Sequence, residues 1–80
     1  MNQLYKKLIY RATKRGTKEN EIILGGFLKR YGEQLTVAQL QDLDRLLDCL
    51  DSDITAWLAE PGSVPEAHDT DVFQMIVRNK

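Results

Sequence analysis

Thr36-Val37-Ala38-Gln39-Leu40-Gln41-Asp42-Leu43-Asp44-Arg45-Leu46-Leu47-Asp48-Cys49-Leu50 is the stretch that decides the fold. Val37, Leu40, Leu43, Leu46, Leu47 and Leu50 recur three and four residues apart, which lines them along one side of an α-helix; a strand would need every second residue. Thr36 followed by Gln39 has the form of a capping box, in which side chain and backbone at the two positions satisfy each other's donors. This is the strongest apolar stripe in the chain, and we expect it to be the core helix. The aspartates between its leucines read as a solvated face, and they lack the loop spacing of a calcium site.

The neighbouring segments carry the same period. Leu4, Tyr5, Leu8, Ile9 and Ala12 predict a first helix over residues 3 to 14. Gly16 ends it, in the left-handed conformation that glycine allows, with Lys14 and Arg15 beside the negative end of the helix dipole. A second helix runs from Thr17, a possible N-cap, to Tyr31, and is expected to bury Ile22, Ile23, Phe27 and Tyr31. Gly25-Gly26 in its interior predict a close helix crossing, and Gly32 closes it. Asp51, Ser52 and Asp53 offer caps for a short helix carrying Ile54, Trp57 and Leu58, which Pro61-Gly62 stops. A last helix buries Val72, Phe73, Ile76 and Val77; it starts near Ser63 to Glu66 or restarts at Asp69-Thr70. The expectation is all-α, a compact antiparallel bundle of five helices forming one domain over residues 1–80, because so short a chain hides only about 60% of its unfolded surface and has room for one core.

Charge is unevenly placed. Residues 1–30 hold eight lysines and arginines against two glutamates, whereas residues 31–77 hold one arginine against ten carboxylates. A basic leading segment admits three readings: a mitochondrial presequence, a nucleic-acid patch, or a helix facing an acidic or phosphate-bearing partner. Serine enrichment is missing for the first, and the acidic remainder would repel a duplex, so the third is preferred. No apolar run approaches the roughly 20 residues that span a bilayer. Cys49, the single cysteine, can form no internal disulfide or cysteine-based zinc site and reads as a half-buried thiol in a reducing compartment. His68 stands alone in a polar stretch and reads as a surface or capping residue. The glycines match no dinucleotide or phosphate loop. No nucleophile with its base, metal cluster or carboxylate pair is legible, so we expect no enzyme and no tightly bound cofactor.

What remains is Lys14-Arg15-Gly16-Thr17-Lys18-Glu19, a charged break expected to display an arginine and a carboxylate on either side of a bend. Arg15-Gly16-x-x-Glu19, with Tyr10-Arg11 before it and Ile22-Ile23-Leu24-Gly25-Gly26-Phe27 after it, resembles the signature of the succinate dehydrogenase assembly factor family. Leu35-Thr36, Leu46-Leu47, Asp53-Ile54, Trp57-Leu58, Pro65, Asp69-Thr70 and Phe73 extend the likeness over most of the chain. Thr17 stands where many members have methionine, Glu21 where many have aspartate, and an aromatic frequent near Asp42 to Asp44 is missing.

The resemblance implies a chaperone that binds the flavoprotein subunit of succinate dehydrogenase or fumarate reductase and promotes covalent attachment of FAD. It implies a partner surface of Arg15, Gly16 and Glu19, supported by Arg11, Lys14 and Thr17, with Tyr10 or Trp57 as anchors and at most a transient contact with FAD. The histidine that receives the flavin would be the partner's, so His68 is not that residue. A cytoplasmic monomer without nucleic-acid binding or membrane insertion is expected. The alternatives are a small adaptor binding nucleic acid or an anionic membrane through its basic first helix, and an antitoxin-like regulator.

Overall fold

In a computed structural model, which describes residues 3–80, the chain is all-helical. Five α-helices run in order: α1 Gln3–Thr13, α2 Lys18–Tyr31, α3 Val37–Leu47, α4 Asp51–Ala59 and α5 Asp71–Arg78. Short 3-10 turns at Gly32–Gln34, Pro61–Ser63 and Glu66–His68 fill the connections. Helix α3 is central, packing on α1 along one side and on α5 along another. Its Leu40, Leu43, Leu46 and Leu47 join Leu8, Ala12, Leu24, Phe27, Leu28, Ile54, Leu58, Val72, Phe73 and Ile76 in one buried core. Each fully buried leucine or phenylalanine contributes about 1.5–3 kcal/mol relative to exposure.

The capping box at Thr36 forms as expected. The Gln39 backbone N–H donates to Thr36 Oγ1 at 3.1 Å, and the Thr36 N–H donates to Gln39 Oε1 at 2.9 Å. The last helix starts at the later of the two sites: Thr70 caps α5 by accepting from the Phe73 N–H at 3.2 Å. At α4 the N-cap is Leu50 in extended conformation, so Asp51 and Asp53 lie in the first turn instead of capping it. Leu50 is thereby pulled out of the α3 stripe, and it and Val37 at the other end are exposed. Ile22, expected in the core, is 65% exposed, because the buried side of α2 is centred on Asn20, Leu24, Phe27 and Leu28.

Close packing requires glycine at two positions. No glycine takes positive φ, so Gly16 does not end α1 by a left-handed cap. Gly25 is needed where α1 crosses α2: a Cβ there would sit 2.8 Å from Thr13 Cγ2. At Gly32 a Cβ would lie 2.1 Å from Tyr5 Cε1, on a ring anchored by its hydroxyl, which donates to the Leu28 carbonyl at 3.2 Å. At Gly16 and Gly26 nothing lies within 4 Å of the added atom.

Gly26→Ala should therefore stabilise the fold by about 0.5–1 kcal/mol, since a helix interior favours alanine and space is open. Gly32→Ala should destabilise it by about 1–3 kcal/mol through overpacking against Tyr5. Urea denaturation of the two variants measures both signs.

Candidate functional site

The basic stripe of α1 has its acidic counterpart inside the molecule. Lys7, Arg11 and Arg15 are four residues apart, hence on one side of the chain as it leaves α1, and they meet Asp44, Asp48 and Asp51 at similar spacing. The Lys7 Nζ lies 3.4 Å from Asp44 Oδ2, and Arg11 bonds both Asp44 and Asp48 through its two terminal nitrogens. Arg15 pairs with Asp51 through Nε. The aspartates of α3 are thus partly a seam against α1, which corrects their reading as a purely solvated face.

Arg15 is the centre of this arrangement. Only 10% of its side chain is exposed, so the expected outward display of the arginine does not occur. The guanidinium lies under the turn, where Nη1 donates to the Leu47 carbonyl at 3.0 Å and Nη2 to the Cys49 carbonyl at 2.9 Å. The first is the last carbonyl of α3, which has no partner within its own helix, and the second lies just beyond the helix end, in the connection to α4. The inward turn has a physical reason: a planar fork of donors meets two carbonyls and a carboxylate at once, a match water does not offer in fixed geometry.

Asp51 receives more than the arginine. Asn20 is 1% exposed, and its Nδ2 donates to the Asp51 carbonyl at 3.2 Å and to Asp51 Oδ1 at 3.3 Å; Thr55 Oγ1 donates to Asn20 Oδ1 at 3.3 Å. The Thr17 side chain adds a smaller favourable effect on the carboxylate. The Arg15 hydrogen bond, reinforced by Asn20 and Thr17 against the opposing effect of burial, holds the Asp51 carboxyl below its ordinary range. Among the described residues no buried side-chain nitrogen or oxygen lacks a hydrogen-bond partner.

The six residues expected at a partner surface therefore divide. Arg15 and Thr17 converge on Asp51, and Arg11 is held by α3. Lys14, Gly16 and Glu19 are exposed around the turn, and Glu19 borders an open groove of about 320 Å³ between α2 and α4, with Thr55 and Ala59 opposite. Tyr10 is 66% exposed on α1, but Trp57 stacks on His68 with ring centroids 5.7 Å apart and belongs to the packing. Sequence reasoning missed Asp51 and Asn20. The cations at intervals of four and the aspartates at intervals of four and three were the available signal for Asp51.

Cys49 is half-buried, as expected, with Sγ 3.3 Å from His68 Nε2. Burial first, then the Asp53 and Asp48 charges, pushes its thiol up. Among the described residues no group of three or more histidine, cysteine, aspartate or glutamate side chains could hold a metal ion, and no helix is long and apolar enough to cross a membrane.

Fold and site together define a small all-helical protein whose polar residues hold one turn rigidly at the surface. A family model described as the flavinator of succinate dehydrogenase matches residues 6–80, and the chain belongs to that family. It is 37% identical over 76 residues to the mitochondrial succinate dehydrogenase assembly factor 2 of Dictyostelium discoideum, covering 95% of this chain and 54% of the relative. It is 31% identical over 74 residues to the FAD assembly factor SdhE of Acetobacter pasteurianus, covering 92% and 68%. The mitochondrial factor of Danio rerio is 36% identical over 73 residues, covering 89% and 46%. The chain thus spans about half the length of these mitochondrial relatives. No solved structure matches it significantly.

Two outcomes test the Arg15 node. Arg15→Ala leaves the Leu47 and Cys49 carbonyls without their donor and removes the ion pair from Asp51, and should cost about 2 kcal/mol of unfolding free energy. Because the folded pKa of Asp51 lies below the unfolded value of about 3.9, its contribution is complete above that pH and is lost as pH falls through the depressed value. Asp51→Asn should accordingly flatten the decline of stability below about pH 4, as followed by urea denaturation across a pH series.

Proposed function

We propose that this chain binds the flavoprotein subunit of succinate dehydrogenase, and of fumarate reductase where one is present, and promotes covalent attachment of FAD to it. It acts as a monomer in the cytoplasm. Family membership supports the flavinylation reading, and one structural observation carries the choice of surface. Gly16 is exposed, takes no left-handed φ and has open space where a side chain would stand, so nothing within the chain requires glycine there. A surface approached closely by another protein does require it.

In this reading the signature residues have separate tasks. Arg15 is a positioning residue: anchored to Leu47, Cys49 and Asp51, it fixes the turn. Gly16 and Glu19 meet the partner, the glycine by allowing backbone approach and the carboxylate by orientation. Lys14 supplies an exposed cation at the rim, and Thr17 and Arg11 support the turn from within. The chemistry belongs to the partner, whose histidine receives the flavin. The factor favours the conformation in which the two are aligned, and it shifts that population by its differential affinity, about 1.4 kcal/mol per tenfold. FAD contact, where it occurs, is transient and uses the first-turn N–H groups of α2 beside exposed Lys18. The adaptor alternative loses support, because Lys7, Arg11 and Arg15 are already paired with α3 and α4.

Gly16→Arg and Glu19→Ala should each keep a wild-type circular dichroism spectrum and melting temperature within about 3 °C, while stimulation of flavinylation of the purified apo-flavoprotein drops at least about tenfold. Variants that melt early would return these residues to a structural role.

A further inference from the structure

The outer side of α2 has features that the packing of this chain does not account for. Ile22 is 65% exposed, and one turn later Gly26 leaves the helix backbone bare, with nothing within 4 Å of the place a Cβ would take. The two residues form a ridge between two open grooves. One, of about 320 Å³, runs to Thr13 and Gly25 on the α1 side and has Lys18 and Lys29 along it. The other, of about 290 Å³, runs to Phe27 and Tyr31 and has Arg30 on it. On the helix, Lys18, Ile22, Gly26 and Lys29 follow intervals of four, four and three and so share one face.

Charge says what such a face accepts. The cations of α1 that face inward are neutralised by aspartates, whereas Lys18, Lys29 and Arg30 are exposed and enter no ion pair among the described residues. Glu21 is the one acidic residue lining either groove. A bare apolar ridge between unpaired cations fits an acidic segment that brings its own backbone close. The face is also continuous with the signature turn, since Lys18 and Glu19 open α2 directly after Gly16-Thr17.

We propose that the docking surface extends from the Gly16 turn along this face to Lys29, and that its occupant is an acidic, apolar-centred segment of the flavoprotein subunit. The inference rests on the function proposed above and enlarges its site: the turn orients the partner, and the Ile22–Gly26 ridge supplies the desolvated centre that a stable interface needs.

The test measures the dissociation constant of the full chain for the purified apo-flavoprotein subunit by calorimetry, with Glu19→Ala as control. Ile22→Glu and Gly26→Leu should each weaken binding by about tenfold or more, with folding intact because both positions face solvent. Lys18→Glu/Lys29→Glu should weaken it too and flatten its salt dependence, and this pair keeps the test open if Ile22→Glu fails to fold. If Glu19→Ala abolishes binding while the α2 variants bind like the parent, the extended surface is overturned and the proposed function stands. If none of them alters binding, the extended surface and the Glu19 contact both fall while the partner stands; if the parent chain itself does not bind the subunit, the proposed function falls. If the α2 variants change only the self-association of this chain in sedimentation, the face is an interface between copies and the proposal is equally overturned.

Discussion

One guanidinium holds the ends of three helices. Arg15 leaves α1, turns under the α3–α4 junction, and donates to the last carbonyl of α3 and to the Cys49 carbonyl just beyond it while pairing with the first-turn carboxylate of α4. Each contact answers a need that exists without the others. The last carbonyls of a helix lack intrahelical donors and carry partial negative charge, and a carboxylate at a helix start is favoured by the dipole. Where one helix ends and the next begins after a short connection, both needs fall within reach of one planar donor. Because α2 begins three residues after Arg15, fixing this side chain also fixes where α2 departs.

The same constraint reorganises the charge of the molecule. A strongly basic leading segment and an acidic remainder suggest attraction to outside partners, yet α1 directs Lys7, Arg11 and Arg15 onto Asp44, Asp48 and Asp51. Such pairs at the rim contribute little, about 0–1 kcal/mol when exposed, but Arg15 is largely withdrawn from water and adds carbonyl contacts. Internal pairing leaves Lys14, Lys18, Lys29 and Arg30 as the basic groups that meet solvent on α2 and the turn before it. External charge is thus localised by subtraction.

Periodicity made the helices legible. The leucine stripe of α3, the Thr36–Gln39 box, the tight crossing at Gly25 and the burial of Val72, Phe73 and Ile76 all follow from local spacing, and all are present. What periodicity leaves open is how far a neighbouring helix extends over a stripe. Ile22, Val37 and Leu50 match the apolar pattern and are nonetheless exposed, because no element covers those ends or that side. The inward turn of Arg15 is hidden from local spacing for a related reason. Exposure of a charged side chain depends on what stands across from it, and its partners are 32 to 36 residues away in sequence.

Direction around α2 then separates the residues that hold the fold from those the proposed function assigns to the partner. Glu19 and Asn20 are adjacent, so they point about 100° apart on the helix. Asn20 is drawn inward by Asp51 and Thr55 and is fully enclosed, which turns Glu19 toward solvent with no freedom to do otherwise. The glycine needs no such partner, since it is placed by the residue before it. A rigid presentation of a carboxylate beside bare backbone requires that something else absorb the conformational entropy of holding it, and the bonds of Arg15 and Asn20 to Asp51 do so from beneath. In the function proposed above, arginine inward and glutamate outward are two halves of one device, and the spacing of Arg15-Gly16-x-x-Glu19 is the distance between its anchor and its face.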